Sequence, residues 1–475
     1  MPTVTIASVA RVNEALPGRS AARSAIGEHR TDSIGRAPDE DLHAALVGDD
    51  RECLWHPFTQ QRGWTDEEPL MIERAEGTDL IDTAGRRYID GVSSLWANVH
   101  GHRHPRIDAA VRDQLDRVAH TTMLGLAHPS SIRLARRLVD LAPEGLTRCF
   151  YSDSGSTATE IALKMAFQLC QQRGGEHARR TRFISLRNAY HGDTIGSVSA
   201  GGIDLFHSTY RPLLFETLEA EPGDAAQMEH LFRDHEGEVA AVIMEPLVQG
   251  AAGMLVHPPG YLRAVRDLCD KYGALLICDE VATGFGRTGK MFACDHEGVS
   301  PDLLCVAKGI TGGYLPLAAT LATEAVYEGF LGEHAEFRTF FHGHTYTGNP
   351  LACAAALANL DVFEEERTLE CLAPKMALLG KLLERVAALP EVVEVRRRGF
   401  MCGIDLGEHP VEARMGHRVT LEARDRGAIV RPLGDTLILM PPLAIAEGEL
   451  RRLLKITGEA IVAAGIGSAE LRAAA

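Results

Sequence analysis

Lys308 is the first residue of this sequence whose surroundings suggest chemistry. It follows the apolar run Leu303–Ala307 and precedes Gly309, Gly312 and Gly313 in LLCVAKGITGG. At the end of a buried strand, desolvation disfavours the charged form of an amine, so the amine can be neutral and nucleophilic. The alternative is a lysine whose flexible stem carries its charge out to water. This segment alone leaves both interpretations open.

Asp279 closes a second apolar run, ALLICD, at residues 274–279. A carboxylate at a buried strand end costs several kcal/mol unless a partner compensates it. We therefore expect a cationic partner for Asp279. The protonated ring nitrogen of a cofactor would serve, and so would an arginine in a salt bridge.

The segment DSGSTATEIALKMAFQ, residues 153–168, predicts an amphipathic helix. The apolar positions that recur with helical spacing are Ala158, Ile161, Ala162, Met165, Ala166 and Leu169. Thr157 and Glu160 fit a capping box, which puts Gly155 and Ser156 at the helix start. Free N–H groups and the helix dipole favour an anion there, such as a phosphate. A helix start without any ligand is the alternative.

Together these three features are the parts of a pyridoxal phosphate site. Lys308 would hold the aldehyde, Asp279 would keep the ring nitrogen protonated, and Gly155 with Ser156 would hold the phosphate. Tyr190, in NAYHGDT after the apolar run RFISL, would offer an aromatic face to the ring. The sequence therefore predicts pyridoxal 5'-phosphate as the cofactor.

Two other motifs are not assigned a function. Gly284, Gly286 and Gly289 match G-x-G-x-x-G, but they do not lie directly between a strand and a helix, so we predict no dinucleotide site. His102 and His104 form an H-x-H without a third ligand at a suitable spacing, so we predict no metal site.

The elements that carry these residues alternate between apolar runs and helical segments. The runs RFISL (182–186), VAAVIM (239–244), ALLICD (274–279) and LLCVAK (303–308) predict strands buried on both faces. The fold class is therefore α/β, with a mostly parallel sheet covered by helices. Ligands of such sheets bind at the carboxyl ends of the strands, where Asp279 and Lys308 fall.

The same pattern suggests the domain organisation. We predict a large cofactor-binding domain at residues 104–365 and a smaller α+β domain formed by residues 49–103 and 366–475. Residues 1–48 lack sustained periodicity, so we predict a mobile N-terminal tail.

Composition restricts the class of partner. The 475-residue chain has a formal net charge of -16, which argues against a broad basic surface for nucleic acid and favours small-molecule substrates. No apolar stretch approaches the roughly 20 residues that a membrane span needs. The ten cysteines include no C-x-x-C, and several lie in apolar runs, so we expect reduced thiols and a cytoplasmic protein.

Six segments resemble the class III pyridoxal-phosphate aminotransferases, and the resemblance extends over nearly the whole chain after residue 50. The segments are DSGSTATEIALKMA, NAYHGDT, IMEPLVQGAAGM, ICDEVATGFGRTGKMFACDHEGVSPD, AKGITGGYLPLAAT and HTYTGNPLACAAA. The resemblance implies the fold type I of pyridoxal-phosphate-dependent transferases and a transamination. Within the class, LWHPFTQQ, GVSSLWANVHGHRHP and VRPLGDTLILMPP look most like the members of the biotin pathway that aminate 8-amino-7-oxononanoate.

The resemblance also implies roles for single residues. Lys308 would bond to the cofactor and Glu245 would support the site from behind. Thr345 would reach the cofactor phosphate of the other subunit, which implies a homodimer with shared active sites. The residues implied for the substrate are Trp96, Phe58, Gly343 and Arg431. A guanidinium such as that of Arg431 can grip a substrate carboxylate with two hydrogen bonds, although a surface arginine before a proline turn is the alternative.

Some positions depart from the pattern of the members that use S-adenosylmethionine. Phe58, Leu95 and His344 differ from the residues those members often carry, so S-adenosylmethionine and lysine are both expected candidates for the amino donor. The alternative function is another class III transamination, of ornithine, 4-aminobutyrate or β-alanine. An aminomutase or a decarboxylase on the same cofactor is a further alternative.

Overall fold

The computed structural model describes residues 40–474, so most of the predicted tail, residues 1–39, lies outside the described residues. Residues 40–48, the last part of that tail, form the start of a helix, Glu40–Cys53. The chain divides into two compact units, one up to Pro69 and one from Leu70 onward. The N-terminal unit contributes two helices, and all strands named below lie in the second unit.

The strands, in chain order, are β1 (Ile72–Glu76), β2 (Asp79–Asp82), β3 (Arg87–Asp90), β4 (Leu146–Ser152), β5 (Arg182–Leu186), β6 (Leu218–Ala220), β7 (Val239–Met244), β8 (Val248–Gln249), β9 (Leu255–Val256), β10 (Leu275–Asp279), β11 (Leu303–Val306), β12 (Ala318–Thr323), β13 (Glu394–Arg398), β14 (Met401–Asp405), β15 (Ala428–Ile429), β16 (Arg431–Leu433) and β17 (Thr436–Leu439).

The helices are α1 (Glu40–Cys53), α2 (Gln61–Asp66), α3 (Ser93–Trp96), α4 (Pro105–Arg117), α5 (Pro129–Leu141), α6 (Gly155–Arg173), α7 (Ile195–Ser199), α8 (Asp204–His207), α9 (Ala225–Asp234), α10 (Tyr261–Tyr272), α11 (Glu324–Glu328), α12 (Pro350–Glu365), α13 (Leu372–Ala387), α14 (Met415–Asp425) and α15 (Glu447–Ala474). Short 3-10 turns occur at Gly175–Arg179, Ser208–Leu213, Ala293–His296, Lys308–Thr311, His334–Glu336 and Val411–Ala413.

The central sheet has seven strands in the order β4-β12-β11-β10-β7-β5-β6. The pairs β11·β10, β10·β7, β7·β5 and β5·β6 are parallel, and only β12 runs antiparallel to its neighbours. The four predicted apolar strands are β5, β7, β10 and β11. The predicted α/β fold with a mostly parallel sheet is thus confirmed.

Both faces of this sheet are buried, which explains why its central strands β7, β10 and β11 are apolar at nearly every position. Along β7, Val242 and Met244 join one core cluster, while Ala241 and Ile243 join the other. Successive side chains of a strand point to opposite faces, so a strand covered on both sides needs apolar residues throughout. Helix α6 contributes most of the residues that cover the second face.

Two smaller sheets flank this core in sequence. One has the order β1-β2-β3-β15, with β15 parallel to β3, and the other has the order β13-β14-β17-β16. The pairing of β15 with β3 joins the region before residue 103 to the C-terminal region. The domain boundaries themselves stay a prediction.

Within residues 40–474, no helix is both long and apolar enough to cross a membrane. All ten cysteines are free thiols, and Cys53 and Cys371 are exposed. No cluster of metal-ligating side chains occurs in the described part of the chain. His102 is hydrogen-bonded to Asp90 instead, and His104 caps the N-terminus of α4.

Candidate active site

The carboxyl ends of the parallel strands meet at one edge of the central sheet, and the predicted site residues follow these ends. Strand β10 ends at Asp279, β7 ends just before Glu245, and β11 ends two residues before Lys308. A cavity of about 750 Å³ opens at this edge. Of the predicted residues, its lining includes Trp96, Gly155, Ser156, Tyr190, Glu245, Asp279 and Lys308.

Lys308 begins a 3-10 turn with left-handed backbone geometry, at φ +46°. Its amine lies in the cavity, with Nζ 4.8 Å from the centroid of the Trp96 ring. Burial lowers the pKa of Lys308, and this effect outweighs the opposing influence of the Asp279 and Glu245 carboxylates, while the positive charge of Arg287 lowers the pKa further. The lowered pKa increases the fraction of neutral, nucleophilic amine.

Asp279 is only 4% exposed and is bonded to a histidine, not to an arginine. Its Oδ2 lies 2.7 Å from Nδ1 of His191, and its Oδ1 accepts a hydrogen bond from the Val281 amide at 3.0 Å. No role is assigned to His191 from the sequence, and its position beside Tyr190 in NAYHGDT is the one sequence signal that could have pointed to it. The structure places its ring, fully buried, directly against the predicted catalytic acid.

Glu245 lines the cavity, and its carboxylate accepts hydrogen bonds from backbone amides. Its carboxylate accepts hydrogen bonds from the amides of Gly250, at 2.8 Å, and Tyr190, at 3.4 Å. Burial raises the pKa of Glu245 to about 7, and the negative charge of Asp279 contributes in the same direction. Glu245 is therefore poised to exchange a proton near neutral pH.

The N-terminus of α6 opens into the cavity, as predicted, but its cap differs from the prediction. The capping box is formed by Ser154 and Thr157, not by Thr157 and Glu160. Ser154 has the extended backbone that an N-cap residue needs, and its Oγ accepts from the Thr157 amide at 3.2 Å. Glu160 instead accepts from the Thr194 hydroxyl at 2.7 Å. Gly155 and Ser156 are nevertheless the first helical residues, where N–H groups are free to bind an anion.

Close packing at this helix start requires glycine at two positions. A Cβ on Gly155 would lie 2.5 Å from Cγ1 of Val281. Gly192 has φ +119°, and a Cβ there would collide with Ser156. The loop with Gly192 is joined to the helix by the Thr194 amide, which donates to Ser156 Oγ at 2.9 Å.

Tyr190 is part-buried at the cavity wall, and its hydroxyl donates to Asp193 at 2.9 Å. Burial raises its pKa, so the phenol stays protonated. Its ring stacks on His207 at an interplanar angle of 11°. The ring plane is thereby held by contacts at both its edge and its face.

Trp96 comes from α3, which is a left-handed turn. Ser93, Ser94, Leu95 and Trp96 all have positive φ, between +47° and +74°. Left-handed geometry costs about 1–2 kcal/mol for each non-glycine residue, so the surrounding contacts must hold this turn in place. Asp90 provides one such contact, since it accepts hydrogen bonds from the amide and the hydroxyl of Ser94.

Four predicted residues do not line this cavity. Gly343 and Thr345 lie in an exposed segment before α12. Phe58 is exposed in the N-terminal unit. Arg431 begins β16, and within residues 40–474 no carboxylate contributes to the pKa of its guanidinium. Burial lowers the pKa of Arg431.

The residues that are present fit pyridoxal 5'-phosphate. One side of the cavity offers an amine of lowered pKa on Lys308, and the buried carboxylate of Asp279 retains only two hydrogen-bond donors. Another side offers the N-terminus of α6, where Gly155 and Ser156 line the cavity. These groups would hold the aldehyde, the ring nitrogen and the phosphate, respectively.

Comparison with known proteins agrees with this geometry. The family model for aminotransferase class III matches residues 61–461. An adenosylmethionine-8-amino-7-oxononanoate aminotransferase of Nitratidesulfovibrio vulgaris is 59% identical over 444 residues, which cover 88% of this chain and 82% of that protein.

Two solved structures are similar to this chain over most of its length. The crystal structure of adenosylmethionine-8-amino-7-oxononanoate aminotransferase from Methanocaldococcus jannaschii has a TM-score of 0.87 and 45% identity, covering 89% of this chain and 99% of that one. The amine transaminase of an uncultivated Pseudomonas species, in its PLP-bound form, has a TM-score of 0.82 and 37% identity, covering 87% and 99%.

Proposed function

This chain belongs to the class III aminotransferases, which depend on pyridoxal phosphate, and we propose that it aminates 8-amino-7-oxononanoate to 7,8-diaminononanoate in biotin biosynthesis. Relatives at 59%, 49% and 51% identity carry the name of that activity. The observation that carries the proposal is the Lys308 amine of lowered pKa, in one cavity with the buried Asp279–His191 pair.

The cofactor, when bound, supplies an aldehyde and an electron-accepting ring, which allow an amino group to pass from a donor to a ketone. Lys308 would hold the aldehyde through Nζ. Once a substrate amine has displaced Lys308 from the aldehyde, the free Nζ would accept the proton from the amine-bearing carbon of the donor. Nζ would then return that proton to the carbon of the former aldehyde. A base for this step needs a pKa near the working pH, which burial of the Lys308 amine favours.

Asp279 would bind the ring nitrogen and keep it protonated. His191 fixes the orientation of that carboxylate, because it occupies Oδ2 at 2.7 Å and is itself fully buried. The Tyr190 ring would lie against the cofactor ring, and the amides of Gly155 and Ser156 would bind the phosphate. Each cofactor group thus has a partner on a different element.

The substrate has a carboxylate at one end of a long apolar chain. Arg431 suits this carboxylate, because its guanidinium is half-buried and no carboxylate within residues 40–474 contributes to its pKa. The Trp96 indole forms an apolar wall beside Lys308. A substrate chain lying along this wall would bring its ketone to the amine.

The remaining predicted residues support a homodimer. Gly343 and Thr345 are exposed and lie outside the cavity lining of their own chain. We assign them to the cavity of a second subunit, where Thr345 would donate to the cofactor phosphate. Phe58 would contact the substrate in the assembled site.

Adenosylmethionine is the donor named by the relatives, and we propose it for this chain, with lysine as the alternative. A half-reaction separates the two. The loaded protein is mixed with one donor at a time, without acceptor, and the loss of the cofactor absorbance band is followed. Adenosylmethionine should bleach the band, and bleaching by lysine alone would contradict the assignment.

Replacing Lys308 by Ala tests the site itself. Turnover of 8-amino-7-oxononanoate should fall by about 10²–10⁴-fold or more, because both the covalent hold and the base are lost. Borohydride reduction followed by peptide mass spectrometry should find cofactor on Lys308 in the wild type and none in the variant. Lys375→Ala is the matched control, since the amine of Lys375 is also part-buried but hydrogen-bonds to Leu443 O, away from the cavity lining.

The turnover assay also compares candidate substrates. We expect product from 8-amino-7-oxononanoate, and little with ornithine, 4-aminobutyrate or β-alanine as amino donor to a common oxo acid. The reverse order of rates would overturn the proposed substrate. It would leave the assignment of Lys308 untouched.

A further inference from the structure

Arg287 is a buried cation that donates no hydrogen bond to a carboxylate within residues 40–474, where the charge of Asp90 acts on it only through space. Its side chain is among the largest fully buried ones, and the residue is 1% exposed. In residues 40–474, none of its hydrogen bonds goes to an acid, and they all end on backbone carbonyls. Burying a guanidinium without a hydrogen-bonded acid has a large desolvation cost, so the hydrogen bonds to these carbonyls must offset much of it.

The carbonyls belong to two segments that are far apart in sequence. Nη2 donates to Asn98 O at 2.6 Å and to Trp96 O at 3.4 Å, and Nη1 donates to Pro441 O at 2.7 Å. The planar fork of an arginine can bind several acceptors in a fixed geometry. Arg287 therefore ties the end of the left-handed turn α3 to the backbone after β17.

The beginning of the same turn is tied to the same segment. Ser93 Oγ donates to Met440 O at 2.6 Å. Asp90, which is fully buried, adds a further contact, because it accepts hydrogen bonds from the amide and the hydroxyl of Ser94. The strained turn thus has an anchor at each end, and the anchor at its C-terminal end is Arg287.

The turn carries Trp96, whose indole is confined between two parts of the site. One neighbour is Nζ of Lys308, 4.8 Å from the ring centroid. The other is Gly250, where an added Cβ would lie 3.1 Å from the indole. A shift of the turn would therefore change both the width of the cavity and the surroundings of the lysine, although Arg287 itself does not line the cavity.

We propose that Arg287 is a positioning residue that clamps the left-handed turn Ser93–Trp96 and thereby holds the Trp96 indole as the substrate wall beside Lys308. The kinetic consequence rests on the proposed function. The structural consequence does not, because the position of Trp96 can be measured without substrate.

The first experiment measures the exposure of Trp96 in the full-length protein. The chain has three tryptophans, so a background with Trp55→Phe and Trp64→Phe leaves Trp96 as the only indole emitter. Trp96 is 7% exposed, and acrylamide should quench it weakly. Arg287→Met removes the donors but keeps the apolar stem, and we expect the quenching constant to rise severalfold. Arg287→Lys keeps a cation without the fork, and we expect an intermediate rise.

Arg266→Met is the matched control for loss of a buried guanidinium. Arg266 is 8% exposed and paired with Asp302, away from the turn. This control should lower the melting temperature and leave Trp96 quenching unchanged. Equal quenching in folded Arg287→Met and in the wild type would overturn the proposal. If Arg287→Met does not fold, Arg287→Lys decides, and unchanged quenching in it would likewise overturn the proposal.

The second experiment is a double-mutant cycle with Trp96→Ala. Loss of hydrogen bonds from a charged donor predicts that Arg287→Met raises KM for 8-amino-7-oxononanoate about tenfold or more. In the Trp96→Ala background the same change should alter KM by less than about twofold, because the residue it positions is gone. Equal effects in both backgrounds would show that Arg287 does not act through Trp96. If 8-amino-7-oxononanoate is not turned over at all, the proposed function fails, and the quenching result still decides the role of Arg287.

Discussion

Replacing His191 by Phe removes the one side-chain hydrogen-bond partner that Asp279 has within residues 40–474. The two side chains are 0% and 5% exposed, and the distance from Nδ1 to Oδ2 is 2.7 Å. Without the imidazole, the carboxylate keeps only the Val281 amide as a donor. A hydrogen bond to a charged group contributes about 1.5–3 kcal/mol, and a buried acceptor that loses its donor incurs a penalty of similar size.

This loss should appear as weaker cofactor binding, because Asp279 must be oriented to meet the ring nitrogen. A change of about 1.5–3 kcal/mol corresponds to a 10- to 150-fold increase in Kd for pyridoxal phosphate. The assay strips the cofactor and titrates it back, following the absorbance of the bound form. His191→Asn should keep most of the affinity, since the asparagine amide can donate from nearly the position of Nδ1.

His257→Phe controls for the loss of any buried histidine. His257 is buried and bonds to Gln249 at 3.2 Å, outside the cavity lining. We expect its replacement to affect stability and not cofactor Kd. Wild-type affinity in His191→Phe, or an equal loss in His257→Phe, would refute the role assigned to the His191–Asp279 pair.

Two further predictions concern Gly155, at the start of α6, and the buried carboxylate of Glu245. Gly155→Ala should weaken cofactor binding by roughly 5- to 150-fold, as overpacking of about 1–3 kcal/mol implies, because the added Cβ would meet Val281 Cγ1 at 2.5 Å. Adding Val281→Ala should restore much of the affinity in a cofactor titration. Failure of this rescue would argue against the steric cause. Burial raises the pKa of Glu245 from 4.5 to about 7, so above pH 4.5 the native state binds more protons than the unfolded state and its stability falls up to about pH 7. Glu245→Gln should therefore flatten the decline of the cofactor-free protein's melting temperature over that pH window. A residual slope is expected from Glu280, because burial also raises the pKa of Glu280 to about 7. An unchanged slope in the variant would contradict the raised pKa of Glu245.

Much of the fold was accessible from local sequence pattern. The runs of β5, β7, β10 and β11 are apolar at successive positions, and such runs separated by helical segments indicate a parallel sheet covered on both faces. In a parallel sheet, residues that follow the carboxyl ends of neighbouring strands must lie near one another. Lys308 and Asp279 could be assigned to one site on this basis.

The N-terminal cap of α6 shows where a local sequence pattern fails to identify the capping residues. Thr157 followed by Glu160 has the spacing of a capping box, and so does Ser154 followed by Thr157. The choice depends on which residue adopts the extended backbone at the entry to α6, and that backbone is set by the preceding strand β4. Glu160 does not cap the helix, because the Thr194 hydroxyl and the Ser197 amide, 34 and 37 positions later, donate hydrogen bonds to it.

The sequence by itself determined the α/β architecture, the start of α6 near Gly155 and the positions of Lys308 and Asp279 at strand ends. These depend on periodicity and on neighbours along the chain. Only the tertiary structure decided that His191 pairs with Asp279, 88 positions away, and that Arg287 reaches the carbonyl of Asn98, 189 positions away. Such partners are brought together by packing of the whole core, so no local window of the sequence contains the information that selects them.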